Sequence, residues 1–182
     1  AFFAGADAIS AINTIKSVTM ADEAEVSGRR TVSGYSGRAV KPIALRCILD
    51  MSQNQVMKGV QLSGIGGIET WRDAVEFIQL GCNNVQVCTA VMQYGYRIID
   101  DLVLGLQRYM AKHGIRQLSD LAGSQVASFT TPAELDRSTI IYPMIDRERC
   151  VGCGRCELSC RDGGHQAITF DKNTRQPHIV DD

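Results

Sequence analysis

The sequence predicts an α/β fold, a parallel sheet with crossover helices, followed by a small α+β domain built around a cysteine run. Three observations lead there. Strand-like and helix-like segments alternate over residues 1–113, and such alternation implies parallel strands joined by helices packed on the sheet. Four of the seven cysteines, Cys150, Cys153, Cys156 and Cys160, fall within eleven residues. The 182 residues are 45% hydrophobic and 21% charged, an ordinary globular composition at a length that suits about one domain with a small appendage.

Charge and cysteine usage narrow the class. Nineteen Lys+Arg against twenty Asp+Glu give a formal net charge of −1. That balance supplies no basic field for nucleic acid and no acidic field for a cationic partner. No apolar run reaches the roughly 18 residues of a membrane span, so neither nucleic acid nor membrane is expected as a partner. Disulfide frameworks spread their cysteines along a chain. Here the first cysteine is Cys47, the count is odd, and no signal peptide precedes it. These features argue for a reduced, cytoplasmic protein with a metal centre.

The elements follow in order. The opening AFFAGADAISAIN lacks Met and reads as a helix end running into a buried strand. With Phe2 and Phe3 bare at the terminus, it is expected to be the interior of a longer chain. Ala6–Ala11, an apolar run after Gly5, is the first strand. A loop rich in Gly, Ser, Thr and charge covers Asn13–Lys41. That is long for a compact domain and signals function or a small excursion. Pro42–Gln53 is a helix with proline in its first turn. Val60–Ile65 is a strand. Thr70-Trp71-Arg72-Asp73 opens a helix with a capping-type start. Its Trp71, Ala74, Val75 and Ile78 share one apolar face, and Gly81 stops it. Asn84–Ala90 is the third strand, and Tyr94–His113 is an amphipathic helix closed by Gly114.

The order strand, long loop, helix, strand, helix, strand, helix fits half of a doubly wound sheet or a slice of an eight-fold barrel. A full barrel needs about 250 residues, so residues 1–113 would be its last three units, with at least one open strand edge. Residues 114–141 read as a connecting segment. In it Thr131-Pro132-Ala133-Glu134 is a capping box for a short helix. Residues 142–182 form the appendage, with strand-like Tyr142–Ile145, Ala167–Phe170 and His178–Val180.

The cysteine run reads C-x2-C-x2-C-x3-C from Cys150. Two-residue gaps let a tight loop, eased by Gly152 and Gly154, turn every sulfur toward a cubane [4Fe–4S] cluster. Structural zinc usually takes two separated C-x2-C pairs, which this run is not. In two-cluster ferredoxins the fourth cysteine of such a run binds the other cluster. Arg161 stands where proline usually follows that cysteine, and no cysteine follows Cys160. The strand-like ending HIVDD would lead into a second run, so the iron–sulfur domain is expected to be truncated.

Two turns suit a phosphate. Ser63-Gly64-Ile65-Gly66-Gly67-Ile68 ends one strand and opens a helix, where glycines free backbone N–H groups to approach an anion. Val87-Cys88-Thr89-Ala90 follows the next strand, and eight-fold barrels commonly build phosphate sites after strands seven and eight. A tight βα turn is the plainer reading of the first. Asn13 and Thr14 follow the first strand. Their neutral amide and hydroxyl suit a planar, uncharged ligand, or an Asx or ST turn. Cys47 and Cys82 read as small buried residues. Cys88 has no histidine in a triad-like pattern and reads as a backbone position. His113 closes a helix, and His165 and His178 read as surface residues.

The segments AINTIKS, GYSGRAVKPIALR, SGIGGIETWRDAVEFI and VQVCTA resemble the flavin-binding barrel of the dihydroorotate dehydrogenase-like family. Joined to MIDRERCVGCGRCELSC and AITFD, they resemble its dihydropyrimidine dehydrogenase branch, in the bacterial NAD-dependent type. The resemblance covers the whole chain in one order. It implies the C-terminal portion of an FMN-binding TIM (β/α)8 barrel over 1–113, the connection 114–141, and the first half of a small α+β ferredoxin-like 4Fe–4S domain over 142–182.

The family reduces the 5,6 double bond of uracil or thymine, with FMN in the barrel and 4Fe–4S clusters carrying electrons from an NADH-oxidising flavin and iron–sulfur partner subunit. Matched residue by residue, Asn13 and Thr14 would bind the pyrimidine base. Gly37, Ile65, Gly66, Gly67, Cys88 and Thr89 would bind FMN, and Cys150, Cys153, Cys156 and Cys160 would bind iron–sulfur clusters. The family's general-acid cysteine and flavin-contacting lysine match nothing here, so the catalytic acid is unassigned. An oligomer is expected, and this chain alone is not expected to reduce uracil. The other readings are a dihydroorotate dehydrogenase-like flavoenzyme, whose carboxylate substrate asks for a cation near Asn13, and an electron-transfer module in which only the cysteine domain works.

Overall fold

The structure is a computed structural model and describes residues 5–18, 31–139 and 141–180. Phe2 and Phe3, residues 19–30 of the long loop, Ile140 and the final Asp181-Asp182 lie outside the described residues. The chain divides into two compact units, Ala1–Thr130 and Thr131–Asp182.

The first unit is built on three parallel strands, β1 (Ala8–Ala11), β4 (Gln61–Ile65) and β5 (Cys82–Gln86), in the order β1-β4-β5. Between β1 and the first helix the long loop forms a small antiparallel pair, β2 (Ile15–Ser17) with β3 (Ser33–Tyr35). Its three-residue strands are too short to leave an alternation in the sequence. Gly34 lets this pair close. A Cβ there would stand 2.5 Å from Cβ of Thr14, far inside van der Waals contact.

A 3-10 turn, Arg38–Val40, leads into α1 (Lys41–Gln53), with proline in the first turn as expected. The helix α2 (Trp71–Gln79) starts with a complete capping box. Thr70 Oγ1 accepts from the Asp73 amide at 3.4 Å, and Asp73 Oδ2 accepts from the Thr70 amide at 2.7 Å. Such a cap contributes about 1 kcal/mol.

Alternation along the strands separates two faces, with a register shift at Asn83 of β5 that puts Cys82 on the face opposite Asn84 and Gln86. Ala11, Leu62 and Cys82 turn toward α1 and α2 and join Ala44, Ile48 and Phe77 in one apolar core. Phe77, Ile48 and Cys82 are fully buried, and burial pushes the Cys82 thiol up to about 12. Cys47 is half-buried against the same core. The opposite face carries a polar row: Gln86 Nε2 donates to Ser10 Oγ and to Ser63 Oγ, each at 2.8 Å, and Ser63 Oγ donates to Asn84 Oδ1.

Two expected boundaries change. The third strand ends at Gln86, not Ala90, because Cys88 (φ −125°, ψ −71°) breaks the extended chain and caps a short helix, α3 (Thr89–Tyr94). The long helix begins later, as α4 (Arg97–His113), after Gly95 (φ 77°) ends α3. Gly114, left-handed, closes it. The helix α5 (Leu118–Leu121) and the 3-10 turn Val126–Ser128 then pack on this unit, with Leu121 buried against Val75 and Ile78.

In the second unit the Thr131 box closes a turn rather than a helix: Thr131 N and Oγ1 donate to Glu134 Oε2 at 2.9 and 2.8 Å. Residues 142–145 form no strand. Met144 is 99% exposed, so no packing holds that segment extended. The strands present are β6 (Ile168–Asp171) and β7 (Gln176–Ile179), an antiparallel pair. Before them comes α6 (Arg155–Asp162), a helix the sequence reading did not single out.

Candidate functional site

At the C-terminal ends of β1, β4 and β5 the first unit opens into a cavity of about 290 Å³. Ligand clefts and the ends of parallel strands commonly coincide. The structure brings all eight of the non-cluster site residues named from sequence to this one cavity: Asn13, Thr14, Gly37, Ile65, Gly66, Gly67, Cys88 and Thr89. They come from four separate stretches of chain.

Each wall has a local cause. Asn13 and Thr14 lie in the short link between β1 and β2, with Asn13 Oδ1 accepting from the Thr14 amide at 2.7 Å. Gly66 (φ 132°) and Gly67 (φ 74°) let the chain turn sharply after β4. The fit behind Gly67 is close: a Cβ there would lie 2.8 Å from the Gly37 carbonyl oxygen and 2.9 Å from Lys41 Cβ. Gly37 (φ 85°) opens the turn before α1. Thr89 begins α3, and its hydroxyl donates to Ser36 Oγ at 3.1 Å, linking the wall after β5 to the wall before α1.

Among the described residues no Lys or Arg lines the cavity, and Glu69 is the acid at its edge. The turns there offer an anion backbone N–H groups and hydroxyls, as in nests at βα turns. The side-chain-free glycine turns and the hydroxyls of Ser36 and Thr89 fit the phosphate end of FMN. Beyond the residues named from sequence, the cavity is lined by Tyr35, Ser36, Gln86 and Met92. Gln86 had a signal that was passed over. In Val85-Gln86-Val87 the alternation turns Gln86 away from the helices and toward the polar row.

Behind the glycine turn sits the strongest ionic contact in the described residues. Lys41 Nζ lies 2.5 Å from Asp73 Oδ1 and 2.9 Å from Glu76 Oε2. Burial alone would lower the Lys41 ammonium, but the two carboxylates outweigh it and raise it above 10.5. Burial alone would likewise raise Asp73, yet Lys41 and the donors of Glu69 and Thr70 hold it below 3.8.

The cysteine run is arranged differently. Cys150 and Cys153 lie on a loop, with Gly152 (φ 61°) and Gly154 (φ 70°) on either side of Cys153. Cys156 and Cys160 lie one turn apart on α6. Cys150, Cys153 and Cys156 are exposed, and Cys160 is half-buried, its Sγ accepting from the Ala167 amide at 3.3 Å. Among the described residues no three His, Cys, Asp or Glu side chains converge to hold a metal ion. The donor set, four thiols on a glycine-flanked loop and one helix turn, fits an iron–sulfur cluster, whose ligands stand wider apart than those of a single ion. Arg175 reaches the Gly152 carbonyl through Nε at 3.4 Å and a terminal nitrogen at 3.3 Å, tying the β6–β7 turn to the loop.

Comparison with known proteins matches these two parts separately. The sequence model of dihydroorotate dehydrogenase matches residues 1–110, and that of a 4Fe-4S dicluster domain matches residues 143–182. The NAD-dependent dihydropyrimidine dehydrogenase subunit PreA of Escherichia coli is 49% identical over 96% of this chain and 44% of its own length. The chloroplastic dihydropyrimidine dehydrogenase (NADP(+)) of Arabidopsis thaliana is 41% identical over 72% of this chain and 33% of its own length. The chain thus spans less than half the length of these relatives. Among solved structures, a ligand-free dihydroorotate dehydrogenase from Eimeria tenella superposes with a TM-score of 0.55 at 26% identity, over 68% of this chain and 34% of that one. No described helix is long and apolar enough to cross a membrane. By its flavoenzyme match over residues 1–110, this chain belongs to the dihydroorotate dehydrogenase family.

Proposed function

We propose that this chain contributes the flavin-phosphate and pyrimidine-binding wall of a dihydropyrimidine dehydrogenase, together with ligands for 4Fe–4S clusters. In this reading the first unit is the C-terminal portion of a TIM barrel and the second is a ferredoxin-type domain. The protein works in the cytoplasm, in an oligomer, and receives electrons from an NADH-oxidising partner subunit. The observation that carries the reading is the single cavity lined by Asn13, Thr14, Gly37, the Ile65–Gly67 turn and the Cys88–Thr89 turn.

Bound FMN would supply hydride transfer to the 5,6 double bond of the base. This chain's own residues bind and orient. The Gly66–Gly67 and Cys88–Thr89 turns present main-chain donors to a phosphate. The Asn13 carboxamide and Thr14 hydroxyl offer both donors and acceptors, which suits the alternating amide edges of a neutral pyrimidine. In the second unit, thiolates of Cys150, Cys153 and Cys156 hold one cluster, while Cys160 belongs to the other.

Anaerobic reconstitution tests the reading. Protein reconstituted with FMN, iron and sulfide should show flavin bands and a broad iron–sulfur absorption, and uracil should perturb the flavin bands. Asn13→Ala should weaken the uracil response at least tenfold, the scale of losing one or two buried hydrogen bonds. A flavin spectrum indifferent to uracil in the unaltered protein would sink the substrate assignment.

A further inference from the structure

The turn that carries Gly66 and Gly67 is fastened from behind by one carboxylate. Asp73 Oδ2 accepts from the Glu69 amide at 3.1 Å, the Thr70 amide at 2.7 Å and the Thr70 hydroxyl at 2.9 Å. Its other oxygen receives the Lys41 ammonium at 2.5 Å. Asp73 is 6% exposed, a buried acid with donors on both carboxylate oxygens. A helix cap needs only Thr70 and Asp73; it does not need a cation from another helix. Lys41 opens α1, four residues after Gly37, and its Cβ and amide nitrogen are what a Cβ on Gly67 would strike at 2.9 Å. Lys41 does not line the cavity. It therefore joins two of the cavity's walls from outside.

We propose that Lys41 and Asp73 are positioning residues for a flavin phosphate: their ion pair clamps the Gly66–Gly67 turn onto the Gly37 end of α1, and so sets the spacing of the main-chain donors that hold the phosphate. The proposal deepens the flavin reading above and rests on it. The pair touches no ligand, and its effect travels through the turn.

Riboflavin, which lacks the phosphate, separates this role from ordinary stabilisation. Flavin-stripped protein is titrated with FMN and with riboflavin, following flavin fluorescence. The unaltered protein should bind FMN more tightly than riboflavin. Lys41→Met should raise the FMN dissociation constant about tenfold, the scale of sub-ångström misplacement of binding groups, and leave that of riboflavin unchanged. Lys41→Arg should restore FMN affinity. Asp73→Asn keeps an acceptor for the Thr70 amide while removing the charge, and should repeat the selective loss even if Lys41→Met does not fold. Equal weakening of FMN and riboflavin, or unchanged FMN binding in both variants, overturns the clamp. Absence of any FMN preference in the unaltered protein instead overturns the phosphate reading beneath it.

Discussion

The cavity of the first unit and the cysteine loop of the second are built by opposite means. The cavity takes its walls from Asn13 through Thr89, stretches that meet because β1, β4 and β5 pair in parallel and α1 and α2 cover one face. The cysteine loop takes four thiols from eleven consecutive residues, three of them exposed. A cavity of the first kind stands or falls with its core. A loop of the second kind depends on its own glycines and on the group it binds, since metal-site folding and metal binding are one equilibrium.

That contrast can be broken by variants of decreasing effect. Cys153→Ser removes a thiolate from the centre of the run. It should abolish the broad iron–sulfur absorption while leaving FMN titrations unchanged, and loss of FMN binding in this variant would show that the two sites are not separable. Phe77→Ala empties a fully buried core position and should cost about 3–5 kcal/mol. Denaturant unfolding followed by Trp71 fluorescence should report it, with cluster reconstitution intact.

Gly67→Ala should cost about 1–3 kcal/mol for forcing a side chain into a left-handed, crowded turn, read as weaker FMN binding. Gln86→Ala should cost about 1 kcal/mol through the lost bonds to Ser10 and Ser63, measured as a small shift in the same unfolding curve.

The smallest effect expected is that of pH near neutrality. Asp73 is held below 3.8, so its contribution is present above that value and is lost as pH falls through its lowered folded value. Lys41 is held above 10.5, so its contribution is present below that value and is lost as pH rises through its raised folded value. The Lys41–Asp73 pair should therefore add no pH dependence to FMN affinity near neutrality; the phosphate's own second ionisation, at about pH 6, is the slope to expect, and a second slope above it would point to a different titrating group.

The two regions also differ in how much of them could be read from the chain alone. The cysteine spacing was visible because cluster ligation is local. The Thr70–Asp73 capping box was visible for the same reason, and forms as expected. The β2–β3 pair was not, because three-residue strands leave no period and Gly34 acts by making room for Thr14. The third strand was expected to run four residues past its end at Gln86 because Val87-Cys88-Thr89-Ala90 has strand-type residues while its backbone turns at Cys88. Strand-type residues at 142–145 stay irregular, with Met144 99% exposed and no described strand paired with them.

By itself, the sequence determined what rests on neighbours a few residues apart: the starts of α1 and α2, the strand and helix alternation of the first unit, the glycine turns and the order of the four thiols. Tertiary structure alone decided which of these pieces face each other. It put Asn13, Gly37, Gly67 and Thr89 around one cavity, laid Gln86 across Ser10 and Ser63, and brought Lys41 to Asp73, thirty-two residues away. Those pairings follow from sheet register and core packing, which no local pattern encodes.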